Sequence, residues 1–396
     1  MPTLDEIRDL ATTEPGAPVL SALLRTDLRD PENVNGHAPW RTELRNGLSV
    51  AEAAVPAGHA HRVAFQRAAA EMERWAAGLD ADTRARSVAR FVALDGSLDR
   101  TYTLRLPLTR TVVVQDRSPY VLPLLALADR GRPVGLVLMG HDRVRLVSWA
   151  DGVVGEPPGA LYALEDGKWR DYAAYAAGNA ARAQQTGRHP EGFGPREEHH
   201  REGFLREAAG AVSGRVDELG WRRLILVGER RLTDEFEREL SPAIRELVAD
   251  RIARHLVELT AAEIATHVEP DLLELWRAEA RGLVARAREL AEAGGAAAVG
   301  LDATAQALLA GRVERLLVDP FRDFAHEVDV SEAAQAVLHG APAQLMAERA
   351  AEAAIAGGGE VTSLPGAAGE GSELDDSGAI AALLRYQPAI GAGDHG

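Results

Sequence analysis

The side chains best suited to chemistry lie in one polar stretch, GNAARAQQTGRHPEGFG, from Gly178 to Gly194. It carries Arg182, Gln184, Gln185, Arg188 and His189 with no acid before Glu191, in a chain otherwise dominated by Ala, Leu and Val. Three uses fit these residue types. A surface connection needs none of their chemistry. An RNA contact would offer Arg182, Arg188 and His189 to phosphates and Asn179, Gln184 and Gln185 to sugars or base edges, with glycines letting backbone approach backbone. A hydrolytic loop would need a preorganised group that orients water at an ester. Spacing alone leaves the three open.

Other candidates reduce to simpler roles. In EEHHREGF, His199, His200 and Glu202 lie close together. Adjacent helical residues point about a third of a turn apart, so they do not share a metal as an i, i+4 pair would. They read as a solvated helix start. No Walker loop occurs, and the glycines of AEAGGAAAVGLD lack the G-x-G-x-x-G spacing after a strand. The serines of SGAIAALLRY and AAGAVSGR lack a nucleophile-elbow pattern. His37, His59 and His61 lie in polar stretches and read as surface residues. Outside the polar stretch the sequence therefore predicts no catalytic residue, and it predicts no metal and no cofactor anywhere. The absence of cysteine removes disulfides, thiolate zinc sites and a cysteine nucleophile together.

A chain of 396 residues with 46% hydrophobic residues predicts two or three domains, each with a core. No apolar run reaches membrane-spanning length, and MPTLDEIRDLATTEPG is acidic and amphipathic, unlike a signal peptide, so the expectation is a cytoplasmic protein without membrane contact. The formal net charge of -16 argues against nucleic-acid binding through a general positive surface, which confines any such contact to local patches. Lys168 is the only lysine, a bias that a GC-rich genome explains more simply than selection for guanidinium.

Three segments must position these groups. Up to Ser118, APVLSALLRTDLRDP reads as a strand and polar loop, RVAFQRAAAEMERWAAGL as an amphipathic helix, and SVARFVALDG, TYTLRLP and TVVVQD as strands. In the second, Val134 to Met139 and Val144 to Trp149 flank the polar tip GHDR, and Asp151-Gly152 marks a further turn, which predicts a meander. After the polar stretch, Phe204, Ala208, Val212, Val216 and Leu219 recur at helical spacing and lead into the buried strand WRRLILVGE. LTDEFEREL and SPAIRELV follow as helices, with Ser241 as N-cap and Pro242 at the first helical position, completing a parallel α/β unit. The third segment opens on the capping box TAAE at Thr260, runs through a long helix ending at Gly294-Gly295, and continues through VGLDATAQALLAGRVERLLVDP as helix, glycine turn and strand. The acidic tract GAAGEGSELDDSG reads as a solvated loop and QPAIGAGDHG as a frayed tail.

VERLLVDP after GLDATAQALLAGR, followed by GGGEVTSLPG and GAIAALLRY, resembles the C-terminal domain of the bacterial homologues of archaeal and eukaryotic class I release factors and Pelota. GLVLMGHDRVRLVSWADGVV, the polar stretch, EEHHREGFLREAAGAVSGRVDELGWRRLILVGE and LTDEFEREL resemble that family's middle domain in the same order. The likeness covers about Pro119 to Tyr386; the first segment agrees only in size and in LSALLRTDLRD. It implies three consecutive α/β domains, 1–118, 119–259 with an extended loop over 173–196, and 260–396, in a tRNA-mimicking arrangement that enters the ribosomal A site. The first domain would face the decoding centre, the middle loop the peptidyl-transferase centre, and the third a translational GTPase, elongation factor Tu or another.

Hydrolytic members of the family carry Gly-Gly-Gln at the tip of the middle loop, where paired glycines adopt a backbone geometry closed to residues with Cβ and so aim water at the ester. Here the corresponding residues read Gly178-Asn179-Ala180-Ala181-Arg182-Ala183-Gln184-Gln185, with no glycine pair before either glutamine. The stop-codon-reading motif is also missing, and DPENVNG is no substitute. The resemblance thus implies a monomeric, non-hydrolytic factor that occupies idle or stalled ribosomes, with Gly178, Asn179, Arg182, Gln184, Gln185 and Arg188 on ribosomal RNA. The alternatives are a peptidyl-tRNA hydrolase using Gln184 or Gln185, and a stress-related scaffold that never meets the ribosome.

Overall fold

The computed structural model describes residues 2–34, 38–55, 58–79, 85–159, 161–163, 194–321, 324, 331–338, 345–364, 374 and 378–386. The chain is mixed α/β, as its sequence predicts, and forms two compact units, Met1–Gly131 with Trp276–Gly396, and Arg132–Leu275.

The first part of the discontinuous unit runs α1 (Leu4–Ala11), β1 (Val19–Leu24), α2 (Pro31–Val34), α3 (Pro39–Ala53), α4 (His59–Ala77), β2 (Ser87–Ala93), β3 (Asp99–Leu104), β4 (Val112–Asp116) and α5 (Leu122–Arg130). The strands form an antiparallel sheet in the order β3-β2-β1-β4. All six residues of β1 are buried, so both faces of the sheet's centre are covered. On one face Leu20, Ala22, Leu24, Val88 and Val92 meet Trp40, Leu44 and Leu48 of α3 and Phe65, Ala68 and Met72 of α4. The structure adds α3 and α5, where the sequence pattern assigns no element.

The continuous unit runs β5 (Val134–Met139), β6 (Arg143–Ala150), β7 (Val153–Gly155), β8 (Leu161–Ala163), α6 (Gly194–Glu218), β9 (Arg223–Val227), α7 (Arg230–Glu239), α8 (Pro242–Arg245) and β10 (Val248–Ile252). α9 (Ala261–Glu292) starts in this unit and ends in the other. The sheet order is β10-β9-β5-β6-β7, with β8 also paired to β6. β5, β9 and β10 are parallel, whereas β5, β6 and β7 form the expected meander. Its second turn puts both Asp151 and Gly152 at positive φ, 51° and 76°, as a two-residue hairpin turn demands. α6 covers the sheet with Leu205, Ala208, Val212 and Val216, packed on Val137, Val144, Leu224 and Leu226. Gly135 is required here, because a Cβ on it would lie 2.5 Å from the Trp221 ring, whose Nε1 donates to Ser148 Oγ at 3.0 Å.

The helix expected over SPAIRELV is only Pro242–Arg245, and Val248 already belongs to β10. Ser241 does cap it, accepting from Ile244 N. The capping box at Thr260 is formed in both directions with Glu263, and Gly294 takes a φ of 67° beyond the end of α9.

The discontinuous unit is completed by β11 (Ala297–Val299), α10 (Leu301–Leu309), β12 (Val313–Val318), α11 (Glu332–Leu338), α12 (Met346–Ala356), β13 (Glu360–Ser363) and β14 (Ile380–Leu384), with sheet order β11-β14-β12-β13. Leu374, inside the tract read as a solvated loop, is fully buried with Val284, Ala287, Leu317 and Leu364, because this core needs an apolar plug there. QPAIGAGDHG, expected from its sequence to fray, lies outside the described residues.

Within this unit α5 packs on α1, α12 and β13. Its junction with α12 is polar as well as apolar. Glu348, fully buried, accepts from Val121 N at 2.7 Å and Leu122 N at 2.9 Å, which satisfies leading amides of α5. Arg349 donates to Ser118 Oγ at 2.6 Å and pairs with Asp116 and Glu352, while Tyr120 Oη donates to Pro320 O at 2.7 Å.

Candidate functional site

Gly178, Asn179, Arg182, Gln184, Gln185 and Arg188 all lie outside the described residues, as do His37 and His189. The two ends of their segment are described. β8 leads into it, and its register against β6 sets Leu161 opposite Arg145 and Ala163 opposite Arg143. The chain therefore leaves the sheet beside the tip of the β5–β6 hairpin, His141-Asp142. α6 leads out of the segment, crosses the sheet face and delivers the chain through Leu219–Arg222 to the amino end of β9. Its own start thus lies toward the carboxyl ends of β5, β9 and β10. Both roots of residues 164–193 are at one edge of this unit.

Arginine and acid pairs stiffen that edge. Arg143 bonds Asp142 at 3.1 Å and Glu258 at 3.0 Å. The hydrogen bond from Arg143 holds the Asp142 carboxyl below the usual carboxylate range. Arg145 pairs with Glu156 and donates to Val257 O at 2.9 Å, tying β6 to the segment after β10. Arg215 of α6 donates to Pro158 O, just before β8. Salt bridges this exposed add little stability singly, and their use is to fix the position of the segment's roots.

The remaining sequence candidates stay apart from this edge or add nothing to it. His59 and His61 are exposed at the start of α4, in the surface role expected. His199, His200 and Glu202 lie on α6, and among the described residues no three His, Cys, Asp or Glu are grouped to hold a metal. Sequence reasoning treats GHDR only as a turn, yet the fold brings His141 and Arg143 to the edge from which the polar segment departs. The one available signal is the strand pairing of LYA with RVR, which three residues are too few to announce.

Residues 132–275 thus combine a mixed sheet and a crossover helix with a polar segment whose two roots lie toward the strands' carboxyl ends. Residues 119–272 match bacterial archaeo-eukaryotic release factor family 10. No curated protein matches the chain. Among solved structures, Pelota of Archaeoglobus fulgidus is similar at 17% identity over 76% of this chain and 80% of that one, with a TM-score of 0.35. Saccharomyces cerevisiae Dom34, described as a translation termination-like factor that interacts with Hbs1, is similar at 11% identity over 77% and 82%, with a TM-score of 0.41. Archaeal Pelota, in a ribosome-bound model with ABCE1, is similar at 16% identity over 97% and 94%, with a TM-score of 0.40. At these scores the likenesses carry no domain placement over to this chain. Among the described residues no helix is long and apolar enough to cross a membrane.

Proposed function

We propose that this protein is a ribosome-binding translation factor that occupies the A site of idle or stalled ribosomes in the cytoplasm and does not hydrolyse peptidyl-tRNA. The observation that carries the reading is the family match over 119–272, which includes the polar segment and both its roots. Supporting it, that segment holds three basic side chains and no acid between Gly178 and His189, which suits RNA phosphates in a chain of net charge -16. It has no glycine pair before Gln184 or Gln185, so the backbone geometry that aims water at an ester is not available there. Residues 1–118, 119–259 and 260–396 act as three functional domains of a monomer, facing respectively the decoding centre, the peptidyl-transferase centre and a translational GTPase, elongation factor Tu or another. Gly178, Asn179, Arg182, Gln184, Gln185 and Arg188 make the RNA contacts.

Co-sedimentation with purified bacterial ribosomes tests this. The wild type binds with a steep salt dependence. Replacing Arg182 and Arg188 by Ala weakens binding about tenfold or more and reduces the salt slope by about two, one for each phosphate no longer neutralised. Undiminished binding by that double variant removes the segment's role. Peptide release from loaded ribosome complexes, abolished by Gln184→Ala or Gln185→Ala, replaces this reading with that of a hydrolase.

A further inference from the structure

The carboxyl ends of β5, β9 and β10 surround a depression of about 360 Å³ that the polar segment's chemistry does not account for. Its position is set by topology. From β5 the chain turns to β6 on one side, while from β9 it passes through α7 to β10 on the other. Where neighbouring parallel strands send their connections in opposite directions, a crevice opens at their carboxyl ends, and ligands bind in such crevices. The floor is tight. Gly228 has a φ of 156°, and a Cβ on it would stand 2.9 Å from the Met139 carbonyl oxygen, so only glycine lets the ends of β5 and β9 close to this distance.

His141, Glu229, Arg230, Arg254 and His255 bring the charges around it. Three nearby acids are held by arginines. Glu229 faces His141 at 3.8 Å, Asp271 takes Arg254 at 2.7 Å, and Asp142 and Glu258 both hold Arg143. The side chains of Arg230 and His255 are exposed and have no partner among the described residues. A guanidinium beside two imidazoles, with Glu229 the only acid in the lining, suits an oxyanion, and the planar fork of arginine favours phosphate. No Phe, Tyr or Trp lines the depression among the described residues, so it has no large ring on which to stack a nucleobase, and the phosphate is the group its charges favour.

We propose that this crevice binds a phosphate group through Arg230, His255 and His141. The phosphate belongs either to a free small molecule or to an RNA backbone. This inference stands apart from the ribosomal reading, since it uses none of residues 164–193.

The test titrates the full chain with inorganic phosphate, adenosine monophosphate and a short single-stranded RNA, following the imidazole resonances of His141, assigned with His141→Gln. Saturable shifts are expected. The Arg230→Ala, His255→Ala double variant weakens them at least tenfold, while Arg238→Ala, exposed on the same helix, leaves them unchanged. Inorganic phosphate and the mononucleotide saturating where RNA does not identify a free ligand; RNA binding far tighter than either identifies a backbone phosphate. A His141 resonance that moves with none of the three, or moves equally in the double variant, overturns the proposal. Ribosome co-sedimentation is measured in parallel and bears only on the ribosomal function.

Discussion

Among the described residues Glu348 is a carboxylate with no solvent contact. It is fully buried, and burial pushes its carboxyl up to about 8, against the two α5 amides and the Arg349 guanidinium that favour the anion, and with Glu352 adding to the rise. Burial also raises Asp116, the partner of Arg349. A carboxyl whose folded value lies above its free value of 4.5 contributes stability in full below about pH 4.5 and loses it as pH rises through about 8. The thermal midpoint of the purified chain should therefore fall by several degrees between pH 5 and 8, and Glu348→Gln, which cannot ionise, should flatten that fall. An equal fall in the variant would show that the dependence arises elsewhere. Nothing in MAERAAEAAIA announces this. Glu348, Arg349 and Glu352 have the types and spacing of a solvated helix face, and only the approach of α5 takes them out of water.

At the scale of elements, α5 shows where periodicity loses its force. Leu122 to Leu127 are all buried, because α1, α12 and β13 cover the helix on several sides. A segment apolar all round has no stripe to betray its period, and in sequence it resembles the buried strand that follows it. Leu124, fully buried, should cost about 2–5 kcal/mol when replaced by Ala, whereas Leu309, 53% exposed, should cost less than about 0.5 kcal/mol, both measured by urea denaturation. Comparable effects at the two positions would contradict the packing described. β10 escapes notice for the opposite reason: in VADRI only Ile252 is buried, so this edge strand has too little apolar pattern to register. Elements with one covered face and definite punctuation are legible. The β5–β6–β7 meander is marked by Asp151-Gly152, and α9 by Thr260 at its start and Gly294 at its end. Of the candidate site, the six residues that the sequence names in the polar segment lie outside the described residues, and the anchorage of that segment beside His141 needs the register of β8 on β6.

For the whole molecule, the notable feature is that residues far apart in sequence share one unit. Met1–Gly131 and Trp276–Gly396 are compact together, joined through α5, Asp116, Ser118 and Tyr120 on one side and α12 and Pro320 on the other. Residues 1–131 expressed alone would expose the apolar surface of α5 and leave its leading amides without Glu348. They should not unfold cooperatively, and co-expression with 276–396 should restore a sharp transition by circular dichroism. A cooperative transition in the isolated fragment would count against this account.

The same discontinuity orders events during synthesis. α5 leaves the ribosome early, but Glu348 follows roughly 225 residues later, an interval of about 10–45 s at ordinary elongation rates. Throughout that interval the nascent chain displays an apolar helix that lacks α12 and β13, while the strands of Arg132–Leu275 can already close on one another. The demand on chaperones should accordingly be greatest in the middle of translation and should end only when the last hundred residues emerge.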